Sequence, residues 1–342
     1  MFYRSTINWI RIAALVLFML LPLSICAGAI VRGAVSGGTA LGIVTLYDVQ
    51  RVNSRLRSME TVKTNILTGE WPDVLLQDVM EANPDLTYNA FTLVDIPLLE
   101  VYANDKTEKP LLLFLHGVTQ NKESLLETLS AFANAGYYAV SMDAYDQGDR
   151  QDGSAVCDNW AAMLITVADI DQVIDHYDLK AGVRVKNFVL GGFSMGAIET
   201  WVYAQQGSYT PGALLPMSGM CQTGAWRHER FGELLHSWLE QKGWCVGLSF
   251  DDQNEDYTQA KFESIQALDI KTNLEVFTDT PIFCGMGTRD WFFDSARSAQ
   301  VIDAITQAGN DQAVFRAYRG VGHMLTREMV LDAIDFLEGA DL

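Results

Sequence analysis

The chain predicts an α/β fold: a doubly wound, mostly parallel sheet with a helical cap insert. Three observations predict it. From Thr87 onward, short apolar runs bounded by turn residues alternate with longer segments of helical period. A Gly-x-Ser-x-Gly pentapeptide, Gly192–Gly196, joins one such run to one such helix. Between Gly219 and Pro281 the alternation stops and the chain reads as helices.

Taken in order, strands are expected near 88–94 and 98–103, as two edge strands parted by Pro97. Next come strand 111–115, helix 123–135, strand 138–142, helix 159–177, strand 187–191, helix 195–206 and strand 213–218. After the insert, Pro281–Met286 is a buried parallel strand, Ser295–Ala308 a helix, Ala313–Tyr318 a last strand, and an amphipathic helix closes the chain. Upstream, apolar residues from Leu46 to Ile66 recur at helical steps and Asp73–Glu81 is a short helix. The expected domains are a targeting segment at 1–29, a helical extension at 30–85, and the α/β domain at 86–342 with its insert at 220–280.

A doubly wound sheet collects reactive groups at the carboxyl ends of its strands. The pentapeptide sits at such an end. Its glycines permit a sharp strand-to-helix turn that leaves Ser194 exposed as a nucleophile, and the helix it opens aims free N–H groups at a developing oxyanion. The competing reading is a capping serine on that helix. Of the five histidines, His323 lies on a glycine-rich loop after the last strand, where it could serve as base. His116 reads as a brace for its own loop, and His176, His228 and His236 as solvated. The orienting carboxylate belongs between serine and histidine in the chain. Asp290, at the end of the 281–286 strand, fits, whereas Asp294 reads as a helix cap. The loop after strand 111–115 should supply a second oxyanion donor, the Val118 N–H, beside that of Met195.

These pieces resemble the α/β-hydrolases, and among them the small bacterial carboxylesterases related to dienelactone hydrolase and the prolyl-oligopeptidase group. The residues that carry the resemblance are Asp95-Ile96-Pro97, His116-Gly117, Gly136-Tyr137 with Asp143, Gly192–Gly196, Gly287-Thr288-Arg289-Asp290 and Gly322-His323. The resemblance implies acyl transfer through a Ser194–Asp290–His323 triad and no cofactor. Two departures stand out. Dienelactone hydrolases proper carry a cysteine where this chain has Ser194, which favours plain ester hydrolysis. Met324 follows the histidine where glycine or serine is common.

With 43 acidic against 24 basic residues and a net charge of −19, the chain is an unsuitable partner for nucleic acid or an anionic membrane surface. Arg4 and Arg11 precede an uncharged stretch, 12–31, with Ala27-Gly28-Ala29 as a cleavage site. That pattern predicts export to a periplasmic or extracellular location, the alternative being an uncleaved anchor through residues 12–31. Export permits disulfides, most simply Cys221–Cys245, with Cys284 free in a buried strand. No metal site is expected, and the acidic run Asp251–Asp256 reads as a solvated loop. In the insert, Trp226 and Trp244 are candidates to line an acyl pocket. The expected activity is hydrolysis of a small carboxylic ester. The alternatives are a serine peptidase acting on short peptides and a catalytically silent binding protein.

Overall fold

The computed structural model describes residues 73–151, 159–222, 263–264, 266–290 and 292–340. The chain divides into two compact units, Met1–Thr68 and Gly69–Leu342, and every described residue belongs to the second. The leader at 1–29, the helix expected at 46–66, Trp226, Trp244, His228, His236, Cys157, Cys245 and Asp251–Asp256 lie outside the described residues. Among those described, no helix is long and apolar enough to cross a membrane.

Among the described residues, eight strands form one sheet: β1 (Leu86–Leu93), β2 (Ile96–Ala103), β3 (Lys109–Leu115), β4 (Tyr138–Met142), β5 (Val183–Phe193), β6 (Ala213–Met217), β7 (Ile282–Gly287) and β8 (Ala313–Tyr318). Their spatial order is β1-β2-β4-β3-β5-β6-β7-β8. The first two pairings, β1 with β2 and β2 with β4, are antiparallel, and the rest are parallel. Helices α1 (Asp73–Ala82), α2 (Leu126–Asn134), α3 (Asn159–Asp178), α4 (Met195–Gln206), α5 (Ser295–Gln307) and α6 (Arg327–Gly339) flank it.

Strand residues alternate between two cores, as the two-residue period of a pleated strand requires. In β3, Leu111, Leu113 and Leu115 face a layer built from α3, α4 and α5, while Leu112 and Phe114 face α1, α2 and α6. Both faces are buried, which explains the unbroken apolar run Leu111–Leu115.

Three differences from the sequence reading have plain causes. The turn between β1 and β2 is Val94-Asp95, with Val94 left-handed (φ 58°) and exposed. Pro97 lies inside β2 opposite Thr92, and its carbonyl accepts from Asp143 N at 3.0 Å. Of these two strands β1 alone lies at an edge, since β2 is buried between β1 and β4. α1, expected as part of the extension, packs on the body: Val79 is buried against the second core and Asn134 Nδ2 donates to Asn83 Oδ1. Finally, the last part of the expected insert belongs to the body. Ile270 and Phe277 are fully buried, Phe277 lies edge-on to Trp201 of α4, and Ile270 N donates to Cys221 O.

The chain runs from β3 leftward to β4 and then crosses β3 to reach β5. The winding direction therefore switches between β3 and β5, the point where a doubly wound sheet offers a crevice at the carboxyl ends of its strands.

Candidate active site

At that crevice β5 ends in Phe193 and α4 begins at Met195, leaving Ser194 alone at the turn with φ 55° and ψ −111°. A non-glycine residue in such a conformation is costly and is held by its surroundings. Ser194 N donates to Met217 O at 2.9 Å and Gly196 N to His116 O at 3.1 Å. A Cβ on Gly192 would fall 2.3 Å from the Gly196 carbonyl, and one on Gly196 would fall 2.4 Å from Leu115 O. The glycines are thus required by close backbone approach. The Ser194 side chain makes no capping bond to α4. Its hydroxyl lies 2.8 Å from His323 Nε2.

His323 sits past β8 on a loop fastened to the turn after β7. Thr288 N donates to Tyr318 O, Arg289 N to Val321 O at 2.8 Å, and Gly320 N to the Thr288 hydroxyl at 2.9 Å. Gly287 makes this possible, since a Cβ there would lie 2.3 Å from Val321 O. Asp290, on the same turn, is buried. Its Oδ2 is 2.8 Å from His323 Nδ1, and its Oδ1 accepts from Phe292 N and Phe293 N at 2.9 and 3.0 Å. With Nδ1–H donated to Asp290, Nε2 is free to accept the Ser194 proton. Asp294, four residues on, accepts from Ala296 N and Arg297 N at the start of α5.

Three phenylalanines surround the imidazole: Phe292 at 4.7 Å between centroids, Phe193 at 5.2 Å and Phe293 at 5.9 Å. They shield the His323–Asp290 pair from water, which strengthens it.

The loop after β3 carries Val118. Gly117 N donates to Gln120 Oε1 at 2.9 Å and Thr119 N to Gln147 Oε1 at 2.7 Å. Between them, Val118 N has no hydrogen-bond partner among the described residues, and neither has Met195 N at the start of α4. His116 braces this loop, Nδ1 donating to Gly117 O at 2.8 Å and Nε2 accepting from Ala144 N at 3.0 Å. Burial holds its pKa below the usual value, in keeping with that neutral tautomer.

Several contributors were not legible in the sequence. Lys122 is buried, and its ammonium bonds Asp149 at 2.7 Å, Glu123 at 2.9 Å and the buried Asp143 at 3.0 Å. Burial alone would lower its pKa, but the carboxylates outweigh burial and raise it. Asp143 also accepts from Lys122 N and Asp149 N. The one available signal was Asp143 at the end of an apolar strand. Nothing marked Gln147. His176 is half-buried against Phe91 at 5.5 Å rather than fully solvated. Cys221 is a free thiol donating to Leu268 O at 3.1 Å, so the described structure holds no Cys221–Cys245 bridge; Cys284 is free and buried. Among the described residues, no group of His, Cys, Asp and Glu could hold a metal ion.

Known proteins share parts of this chain's sequence and fold. Residues 106–254 match the family model described as serine aminopeptidase, S33. The esterase YjfP of Escherichia coli (strain K12) is 25% identical over 71% of this chain and 95% of its own. YitV of Bacillus subtilis (strain 168) is 22% identical over 72% of this chain and 96% of its own. Among solved structures, TT1662 from Thermus thermophilus superposes with a TM-score of 0.58 at 21% identity, covering 74% of this chain and 97% of that one.

Proposed function

We propose that this chain, a member of the α/β-hydrolase superfamily and a serine hydrolase in type, cleaves carboxylic esters through an acyl-enzyme on Ser194. One observation carries the reading. Ser194 Oγ, the two ring nitrogens of His323 and Asp290 Oδ2 form one hydrogen-bonded line, each link 2.8 Å long.

The steps follow from that line. His323 Nε2 takes the Ser194 proton as the oxygen attacks the ester carbonyl. Asp290 holds the tautomer and stabilises the imidazolium. The unspent N–H groups of Val118 and Met195 receive the oxyanion. His323 returns its proton to the leaving alkoxide. A water deprotonated by His323 then releases the acid and frees Ser194. A second reading, cleavage of short aminoacyl peptides, is favoured by the match to the aminopeptidase model and uses the same groups. Export of the chain, expected from Arg4, Arg11 and residues 12–31, is part of the proposal, and cell fractionation tests it.

Ser194→Ala should keep the fold and lose on the order of 10³-fold or more in turnover. A fluorophosphonate should label Ser194 in the wild-type protein. Label on another serine, or active enzyme that takes none, would sink the assignment. p-Nitrophenyl esters assayed beside aminoacyl amides separate the two substrate classes.

A further inference from the structure

Besides the Lys122–Asp149 ion pair, the loops after β3 and after β4 are joined at three places. His116 Nε2 accepts from Ala144 N, Gln147 Oε1 accepts from Thr119 N, and Asp143 takes both the backbone N–H and the ammonium of Lys122. Of the three, the Gln147 bond lies next to Val118. Thr119 has φ 63°, a left-handed conformation that a β-branched residue adopts only when something holds it there. At 2.7 Å the bond to Gln147 is the shortest that the Gly117–Gln120 turn makes. Gln147 is itself buried, with its N–H donated to Ala144 O, so its carboxamide is presented from a fixed backbone.

The peptide plane between Val118 and Thr119 is the connection that matters. The Val118 N–H itself lies in the preceding plane, whose Gly117 carbonyl accepts from His116 Nδ1 and Gln120 N; holding Thr119 N toward Gln147 fixes the following plane, so Val118 is pinned from both sides. The same bond keeps Thr119 N from competing for the oxyanion. On Gly117, the Gln120 side chain does the corresponding work.

We infer that Gln147 is a positioning residue that aims the Val118 N–H at the oxyanion without touching substrate. The inference rests on the oxyanion role proposed above for Val118. It assigns a catalytic consequence to a side chain on a different loop from each of the reacting groups.

The test compares Gln147→Met and Gln147→Ala, which remove the acceptor, with Gln147→Glu, which keeps an acceptor oxygen at the same reach. Substrates are p-nitrophenyl acetate and butyrate. The probe of the oxyanion site is a trifluoromethyl ketone, whose tetrahedral adduct with Ser194 carries the oxyanion; a product alcohol serves as a ground-state ligand. Removing one oxyanion donor costs about 10²–10³-fold in kcat, and misaiming one should cost about 10-fold or more. In Gln147→Met, kcat should fall by that factor with KM nearly unchanged. The ketone's Ki should rise in parallel while the alcohol's Ki stays put. Gln147→Glu should retain several-fold more turnover than Gln147→Met.

Wild-type kcat in folded Gln147→Met, an effect confined to KM, or equal losses in the Met and Glu variants would overturn the assignment. So would failure of both acceptor-less variants to fold while Gln147→Glu stays folded and active, since Gln147 would then serve stability. Ser194→Ala, run alongside, separates the two levels. If it keeps turnover, the nucleophile reading fails. If it abolishes turnover while Gln147→Met matches wild type, only the Gln147 assignment fails.

Discussion

At the scale of single residues, the two carboxylates four positions apart differ in what they touch. Asp290 bonds His323, whereas the Asp294 carboxylate accepts from the N–H groups of Ala296 and Arg297 at the start of α5. Asp290→Asn should therefore lose on the order of 10⁴-fold in turnover through the wrong imidazole tautomer. Asp294→Asn should cost about 1 kcal/mol of stability at most. A reversed pattern in kcat would make Asp294 the acid. Glu199 presents a different problem. It is fully buried in α4, and neither carboxyl oxygen has a hydrogen-bond partner among the described residues. The Thr166 hydroxyl is near enough to favour the anion slightly but is out of bonding geometry, its own proton going to Ala162 O at 3.0 Å. Burial raises the Glu199 pKa well above the usual carboxylate value. The sign follows from linkage. Below the unfolded-chain pKa both states are protonated and nothing is lost. Above it the unfolded chain ionises and the folded one does not, so stability falls by about 1.4 kcal/mol per pH unit until the folded pKa is reached. Glu199→Gln should remove that slope. Urea melts at pH 5 and pH 8 should show its advantage over wild type growing with pH; an unchanged difference would mean that Glu199 is ionised in the folded protein.

At the scale of elements, the site depends on strand ends being brought close together. Gly287 is one such place, since any side chain there would push into the carbonyls of Val321 and Gly322, just before His323. Gly287→Ala should displace the imidazole, and a displacement of about 1 Å costs on the order of 10²-fold in rate. The measurement is kcat together with near-ultraviolet circular dichroism. Full activity would show that the loop yields without moving His323. This scale also separates what the sequence made legible from what it did not. Ser194, Asp290 and His323 each stand just past an apolar run and beside glycines, a local signature that survives in one dimension. The Lys122–Asp143 pair and the Thr119–Gln147 bond join residues 21 and 28 positions apart. They exist because β4 lies beside β3, an adjacency the order of elements does not reveal. Pro97 lies within a strand that its own residue type argues against. A proline signals a strand break locally, but its missing N–H is harmless where the partner strand does not require it. Nor did the helical reading of 220–280 reveal that Ile270 and Phe277 complete the core beside α4.

At the scale of the whole molecule, a net charge of −19 gives the protein a negative field. Such a field repels anionic substrates before they dock and weakens as the Debye length shrinks to about 8 Å at physiological ionic strength. At low salt, kcat/KM for a dicarboxylate half-ester should fall below that for its neutral analogue, and the gap should narrow as sodium chloride is added. A gap that ignores salt would locate the discrimination in the pocket rather than in the field. The two described cysteines offer a measure of another global property. Both thiols are buried and free, and burial raises their pKa values, so each is inert to alkylation while its surroundings stay closed. They stand at different depths of the architecture. Cys284 is in β7 between two parallel neighbours, whereas Cys221 ties the chain after β6 to Leu268 through its thiol and to Ile270 through its carbonyl. Pulsed iodoacetamide with site-resolved mass spectrometry would read them as a two-handed clock. Cys221 would time partial excursions at the root of the insert, and Cys284 the rarer moments when the sheet itself comes apart.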